Sequence, residues 1–286
     1  MVLEVIYVVR HGYRSNWNVD PQTGTYSSNV RTPTGNPADP SLASYGVLQA
    51  EQLGTHLMTL DPAPNTLYSS PYYRCLQTIA PYTQHLAERD GASNVKVWLE
   101  PGLGEFYGSA RFEHPSPSGL DELRKHFDYL CAEPKPIIAP HKFGESIPQL
   151  HDRLAYCLDR LIKRADEDPK GPKAILLCSH AAAIISIGRA LTGRMPEEVG
   201  EEDFQCYTAG VSKFRRRKQA GSSSQKSKDW DPQYSDRVPD VGWRDGSGVA
   251  GGWDCELNSD CSFLENGEER GWFVPSCSPT STFHHH

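Results

Sequence analysis

Val5-Ile6-Tyr7-Val8-Val9-Arg10-His11-Gly12 is the stretch on which the fold turns. β-branched and aromatic residues run together and then stop at a cation, an imidazole and a glycine. A short continuous apolar run bounded by glycine suits a buried strand. In open α/β sheets, ligands sit beyond the carboxyl ends of the strands, and glycine lets the backbone approach a ligand closely. Alone, the pattern fits an ordinary strand end equally well. Its weight depends on what the chain brings to the same edge.

The same strand-then-polar pattern recurs. Leu67-Tyr68-Ser69 reads as a second strand, and Ser70-Pro71 supplies a hydroxyl cap and a first-turn proline for a helix. Arg74 falls in that first turn. Val95-Lys96-Val97-Trp98-Leu99 alternates as a third strand and turns out through Gly102-Leu103-Gly104-Glu105. Ala174-Ile175-Leu176-Leu177-Cys178 is a buried strand ending at Ser179-His180, with a small apolar helix over 181–191. Between these strands, Ser41 is placed to cap a helix carrying Leu42, Leu48, Leu53 and Leu57. Residues 121–131 have helical character. Leu150, Leu154, Leu158 and Leu161 fall on one face of an amphipathic helix. Strands alternating with helices predict an α/β fold: a three-layer α/β/α sandwich around a mostly parallel central sheet. No internal repeat is visible.

Residues 1–215 read as one domain. It includes a long loop over 16–40, rich in Asn, Pro, Thr, Ser and Gly, and a Pro-rich lid over 133–144. Long loops within compact domains are usually functional or disordered. From 216 to 252 apolar periodicity fades, which reads as a linker or a surface excursion. Residues 253–275 resemble a β-hairpin about an Asn266-Gly267 turn. A lone hairpin is marginal, so Trp253, Phe263, Trp272 and Phe273 are expected to pack on the main domain or on a partner. His284-His285-His286 reads as a tag remnant, outside the fold.

Composition narrows the classes. The chain has 286 residues, 37% hydrophobic, and a net charge of −7. That length suffices for one large core, and the charge gives no basic field to draw nucleic acid or an anionic membrane. No apolar run spans a bilayer. Eight cysteines lie scattered without a Cys-x-x-Cys, and no signal-peptide pattern precedes the first strand. Both features point to reduced thiols and a cytoplasmic or nuclear location.

Arg10, His11, Arg74, Glu105 and His180 all fall at carboxyl ends of strands or the turns after them, so one sheet edge would gather them. Two arginines, two histidines and a carboxylate suit phosphoryl transfer, because the planar guanidinium matches a phosphate with parallel donors. A helix start beneath Arg74 adds backbone donors and a favourable dipole.

In Val8-Val9-Arg10-His11-Gly12, Ser69-Ser70-Pro71-Tyr72-Tyr73-Arg74-Cys75-Leu76-Gln77-Thr78, Leu103-Gly104-Glu105-Phe106-Tyr107 and Leu177-Cys178-Ser179-His180-Ala181, the chain resembles the histidine phosphatase (phosphoglycerate mutase-like) superfamily. The likeness covers roughly 4–215. Arg10-His11-Gly12-Tyr13-Arg14-Ser15-Asn16-Trp17 looks like a fungal branch of it, which includes the phosphatase-like domain of a subunit of an RNA polymerase III transcription factor. The resemblance implies a phosphoglycerate mutase-like fold and a phosphatase acting on phosphomonoesters, in a phosphorylated small molecule or a phosphoprotein. His11 would be the nucleophile, forming a phosphohistidine, and Glu105 the general acid and base. Arg10, Arg74 and His180 would hold the phosphoryl oxygens, with Gly12, Asn16, Asn18 and Ala181 as further phosphate contacts. No cofactor and no metal are implied, since the arginines supply the positive charge. Two departures stand out. Ala181 replaces a glycine common after the second histidine. Tyr13 replaces the acidic residue of mutases, which points from mutase to phosphatase.

Tyr72, Tyr73, Phe106 and Tyr107 either shape the substrate mouth or simply pack. His56, His85, His114, His126, His141 and His151 read as ordinary surface or hydrogen-bonded histidines. No Gly-x-Ser-x-Gly elbow and no P-loop occur. The competing class is an interaction module that keeps the fold, is catalytically weak or silent and serves as a scaffold in a transcription assembly. It would bind a protein partner through the C-terminal hairpin, with no direct contact to nucleic acid or membrane.

Overall fold

A computed structural model describes residues 2–91, 95–131, 135–197, 201–218 and 228–271. β1 (Val5–Arg10) is an interior strand of a seven-stranded sheet ordered β6-β5-β4-β7-β1-β8-β9. β7 (Ala174–Ser179) pairs with β1 in parallel, and β4 (Thr66–Ser69), β5 (Val97–Leu99) and β6 (Leu130–Cys131) continue the parallel part of the sheet outward from β7. β8 (Val211–Arg216) runs antiparallel to β1, and β9 (Trp253–Asp260) antiparallel to β8.

The period-two pleat explains why β1 is apolar throughout. Val5, Tyr7 and Val9 face one layer, with Leu53 and Leu57 of α1 (Ser44–Leu57) and Ile79 and Tyr82 of α2 (Tyr73–Asp90). Ile6 and Val8 face the other, built from α4 (Ile147–Glu167) and α5 (Ala181–Thr192). Both faces are covered, which gives the α/β/α sandwich. The α4 leucines at 150, 154, 158 and 161 lie in this second core, where each buried leucine contributes ~1.5–3 kcal/mol. Ser146 and Gln149 close α4 with a reciprocal capping box.

Several local expectations give way to tertiary packing. α1 starts at Ser44 with Ala43 as its cap, so Ser41 caps nothing. Tyr72 is the cap of α2, and Ser70 is instead the last polar residue of the strand exit. The helix expected over 121–131 shrinks to α3 (Leu120–Leu123), because Leu130 and Cys131 extend the sheet beside Val97 and Trp98. The 16–40 loop contains a small ribbon, β2 (Trp17–Val19) paired with β3 (Tyr26–Ser28). Within the 216–252 tract, residues 228–252 form a packed excursion: Trp243 and Val249 are buried in the α4/α5 core. Its apolar residues are too sparse to show a period, since residues 228–252 pack along α4 with only two short 3-10 turns, Pro232–Tyr234 and Val249–Gly251, as regular structure. The first arm of the expected hairpin is β9, and its partner is β8. Of the return arm expected over 270–274, Arg270 and Gly271 form no strand, and residues 272–275, with the histidines at 284–286, lie outside the described residues. Among the described residues, no helix is long and apolar enough to cross a membrane.

The register sets the site. Arg10 pairs with Ser179 and Ser69 with Cys178, so the residues that follow emerge side by side. The exit of β1 is pressed tightly against α1. A Cβ on Gly12 would lie 2.8 Å from the Gly46 oxygen, and one on Gly46 would lie 1.9 Å from the Tyr13 oxygen. Both glycines serve close backbone packing. Gly46→Ala should therefore destabilise the fold by ~1–3 kcal/mol through overpacking, read as a lower urea midpoint. Gly119→Ala, with open space around its Cβ, should leave the midpoint unchanged. Equal midpoints for the two variants would refute the packing account.

Candidate active site

His11 follows β1 and is only 3% exposed, yet it lines a cavity of about 950 Å³. Its Nδ1 lies 2.8 Å from the Gly12 carbonyl oxygen. A carbonyl only accepts, so Nδ1 carries the proton and Nε2 keeps its lone pair. Burial, followed by the charges of Arg74, His180, Arg10 and Arg14, holds the imidazole pKa well below its ordinary value. A neutral, oriented imidazole is the form that can act as a nucleophile.

Arg74 lies beneath it with no exposed surface. It sits in the first turn of α2, stacked over the Tyr72 ring at 4.5 Å. Nη1 donates to the Ala38 oxygen at 3.0 Å and Asp39 Oδ1 at 3.1 Å. Nη2 donates to Glu105 Oε2 at 3.0 Å and is 3.3 Å from His180 Nδ1. Asp39 also accepts the Tyr73 amide at the start of α2, at 2.8 Å. This carboxylate comes from the 16–40 loop and was not foreseen. Its sequence surroundings are unremarkable, and only the fold carries it to Arg74.

Glu105 Oε2 stands 3.3 Å from His180 Nδ1. Burial would raise the Glu105 pKa, but His180, Arg74 and His11 outweigh burial and hold it well below the usual range. His180 shows the complement. Burial opposes its charge, while the Cys75 sulfur and the Glu105 carboxylate favour it, and the net direction is upward. Its Nε2 is 2.7 Å from Ser70 Oγ, so the serine expected to cap a helix instead orients an imidazole. The turn bearing Glu105 is fixed from three sides. Ser179 Oγ donates to the Leu103 oxygen, Arg153 Nη1 to the Gly102 oxygen, each at 2.6 Å, and Glu100 accepts the Gly102 amide at 2.7 Å.

Arg10 Nη1 donates to the carbonyls of Cys206 at 2.7 Å and Arg270 at 2.6 Å. The Nε atoms of Arg10 and Arg74 are buried without a hydrogen-bond partner among the described residues. Arg14 is a further cation in the same cavity, with its pKa lowered to about 10 by burial and then by Arg74. Sequence reading quoted Arg14 only within a motif. The usable signal was a second arginine four positions after the first, just beyond the end of β1.

The other expected phosphate contacts divide. Ala181 lines the cavity at the start of α5, where first-turn amides lack helical partners. Gly12 does not serve: its amide donates to Thr78 Oγ1 at 2.9 Å. Asn16 and Asn18 are exposed, because the alternation of β2 turns Trp17 and Val19 into the cavity and the asparagines to solvent. Trp17, Tyr26, Tyr107, Phe112 and His114 form an aromatic wall, with Tyr107 and His114 stacked at 4.8 Å. Tyr107 therefore shapes the mouth, whereas Tyr73 packs against Phe127 at 4.9 Å. A smaller cavity of about 400 Å³, bounded by several prolines, lies across the Glu105–Tyr107 strip.

The ligand atoms of His11, Glu105 and His180 lie within 4.8 Å of one another, close enough to share a metal ion. The Arg10, Arg14 and Arg74 guanidiniums around them favour an anion over a cation. A tetrahedral phosphoryl group suits this charge distribution, with donors around it, a lone pair on one side and a carboxyl group on the other.

Comparison with known proteins follows the same line. The family model for the histidine phosphatase superfamily (branch 1) matches residues 6–227. The chain is 30% identical over 282 residues to the transcription factor tau 55 kDa subunit of Saccharomyces cerevisiae, covering 95% of this chain and 59% of that protein. It is 26% identical over 219 residues to the ecdysteroid-phosphate phosphatase of Drosophila melanogaster, covering 68% of this chain and 28% of that one. The chain thus spans less than two thirds of each relative's own length. A solved structure, the ecdysone phosphate phosphatase from Bombix mori in complex with tungstate, shares the fold with a TM-score of 0.54. That match is 19% identical and covers 74% of this chain and 89% of the other. The sheet order and flanking helices are those of the phosphoglycerate mutase-like fold, and the chain belongs to the histidine phosphatase superfamily, branch 1.

Proposed function

We propose that this chain hydrolyses phosphomonoesters through a phosphohistidine on His11, without a metal. The observation that carries the reading is the neutral His11, its Nδ1 proton held on the Gly12 carbonyl, within a ring of arginines and opposite Glu105. Nε2 attacks phosphorus as the bond to the leaving oxygen breaks, and Glu105 delivers a proton to that oxygen. Water then attacks phosphorus, Glu105 takes its proton, the P–N bond breaks and phosphate leaves with His11 restored. Arg10, Arg14, Arg74 and His180 offset the charge on the equatorial oxygens. Ala181 offers its amide from the start of α5.

Glu105 is ionised while it pairs with Arg74 and His180. A bound phosphoryl group competes for those two partners and adds negative charge nearby. Both effects raise the carboxyl pKa toward what an acid catalyst needs. The aromatic wall favours a flat or apolar group on the ester oxygen over a sugar, since rings gain by burying apolar surface. Small molecules and phosphoproteins both meet that description.

A second reading is a scaffold within a transcription assembly, in the nucleus. Its support is the alignment to the yeast tau subunit over 95% of the chain, which extends past the family-matched residues. Under it, a pulldown recovers a stable protein partner while a panel of phosphomonoesters goes unhydrolysed.

His11→Ala should lower hydrolysis of a chromogenic aryl phosphate by on the order of 10³-fold or more. Equal rates for the two proteins, or none from either, would sink the catalytic reading. Glu105→Gln should slow alkyl phosphates by on the order of 10²–10⁴-fold and aryl phosphates much less, because a phenolate leaves without a proton. Uniform loss across leaving groups would remove the acid role. Activity should also survive exhaustive chelation. Loss on chelation, restored by a divalent metal, would assign His11, Glu105 and His180 to metal binding instead.

A further inference from the structure

Arg10 is not positioned by the family-matched core alone. Its Nη1 donates to two carbonyls, that of Cys206 and that of Arg270. Arg270 lies well beyond the family-matched residues, 6–227. The segment that carries it follows a traceable course along α1. The Phe263 ring stacks on His56 at 4.1 Å and 5°. The Glu265 amide donates to Gln52, and Asn266 Nδ2 donates to the Tyr45 hydroxyl at 3.1 Å. The Glu269 carbonyl accepts the Thr208 amide at 3.2 Å. Thr208 is in turn held by Gln49, whose Oε1 accepts the Tyr13 amide at 2.9 Å. Arg270 then sets its guanidinium over the Tyr13 ring at 4.1 Å. Its backbone adopts φ 51, a left-handed conformation that a non-glycine residue holds only when its surroundings fix it.

We infer that residues 263–270 form a strap that positions Arg10 for phosphate, so that oxyanion affinity at the His11 site depends on the C-terminal segment. Two carbonyls on one Nη leave the other edge of the guanidinium for a ligand. The buried Nε without a partner lies on the edge left over. Without the Arg270 carbonyl the guanidinium keeps one anchor and can rotate, and the fork that matches a phosphate is no longer preset. Tyr13 acquires a role here. Where mutases carry an acidic residue, this chain carries a ring that docks the strap by cation–π contact. The inference rests on Arg10 as a phosphate ligand and deepens the proposed function.

The test measures orthovanadate and inorganic phosphate affinity directly, by calorimetry, alongside aryl phosphate turnover. A chain ending at Glu268 loses the Arg270 carbonyl and keeps Leu264 in the core. It should bind vanadate roughly threefold to tenfold more weakly than the full chain, with KM raised more than kcat is lowered. Tyr13→Leu should match that loss, and Tyr13→Phe, which keeps the ring, should bind like wild type. In an Arg10→Ala background, ending the chain at Glu268 should weaken binding no further, an outcome that a merely structural strap would not give. Unchanged vanadate affinity on shortening overturns the proposal. So does a Tyr13→Phe loss as large as that of Tyr13→Leu, or a full additional loss in the Arg10→Ala background. A full chain that binds vanadate and turns over no ester refutes the phosphatase reading and leaves the strap measurable.

Discussion

A guanidinium with no exposed surface must be neutralised where it lies, and Arg74 is the point at which this constraint shapes the molecule. Isolated burial of such a charge costs several kcal/mol, more than most single contacts return. The cost is offset by Asp39 from one loop, Glu105 from another and the Ala38 carbonyl. These partners belong to separate segments, so the charge draws the 16–40 loop and the Glu105 turn onto the start of α2. The same arrangement sets the electrostatics of both histidines. Arg74 helps to keep His11 neutral, and Glu105 favours a proton on His180.

Geometry around this charge is rigid for reasons unconnected with chemistry. Gly12 and Gly46 allow the exit of β1 and the start of α1 to touch. Ser179 and Arg153 fasten the Glu105 turn to β7 and α4. The buried Arg153–Glu145 pair ties that turn to the chain just before α4. Each catalytic candidate thus stands on an element whose position is determined by core packing. That is the condition under which a pre-set site holds its shape.

What was legible in the sequence follows from how local each signal is. The β1 and β7 runs, the α4 leucines and the Arg10-His11, Arg74, Glu105 and His180 positions are patterns over a few neighbouring residues. Chain order then brings them to one sheet edge by the right-handed rule for parallel connections. Ser41, the 121–131 helix and the phosphate roles of Gly12, Asn16 and Asn18 were misread because each depends on a partner far along the chain. Gly12 meets Thr78 and Gly46, and Leu130 meets Val97. The asparagines were displaced by the pleat of a ribbon, β2 with β3, that local composition presented as loop.

The sequence by itself determined the layered α/β architecture and pointed to the candidate catalytic side chains, because hydrophobic period and strand-end motifs are written in adjacent residues. Only the tertiary structure decided which side chains stand around them. Asp39 comes from a loop, Arg14 from the segment after β1, the aromatic wall from the β2–β3 ribbon together with residues 107–114, and the second anchor of Arg10 from the C-terminal segment. The physical reason is the same in each case. A buried charge or donor must find a partner, and the nearest available one is fixed by how the layers pack, not by position along the chain.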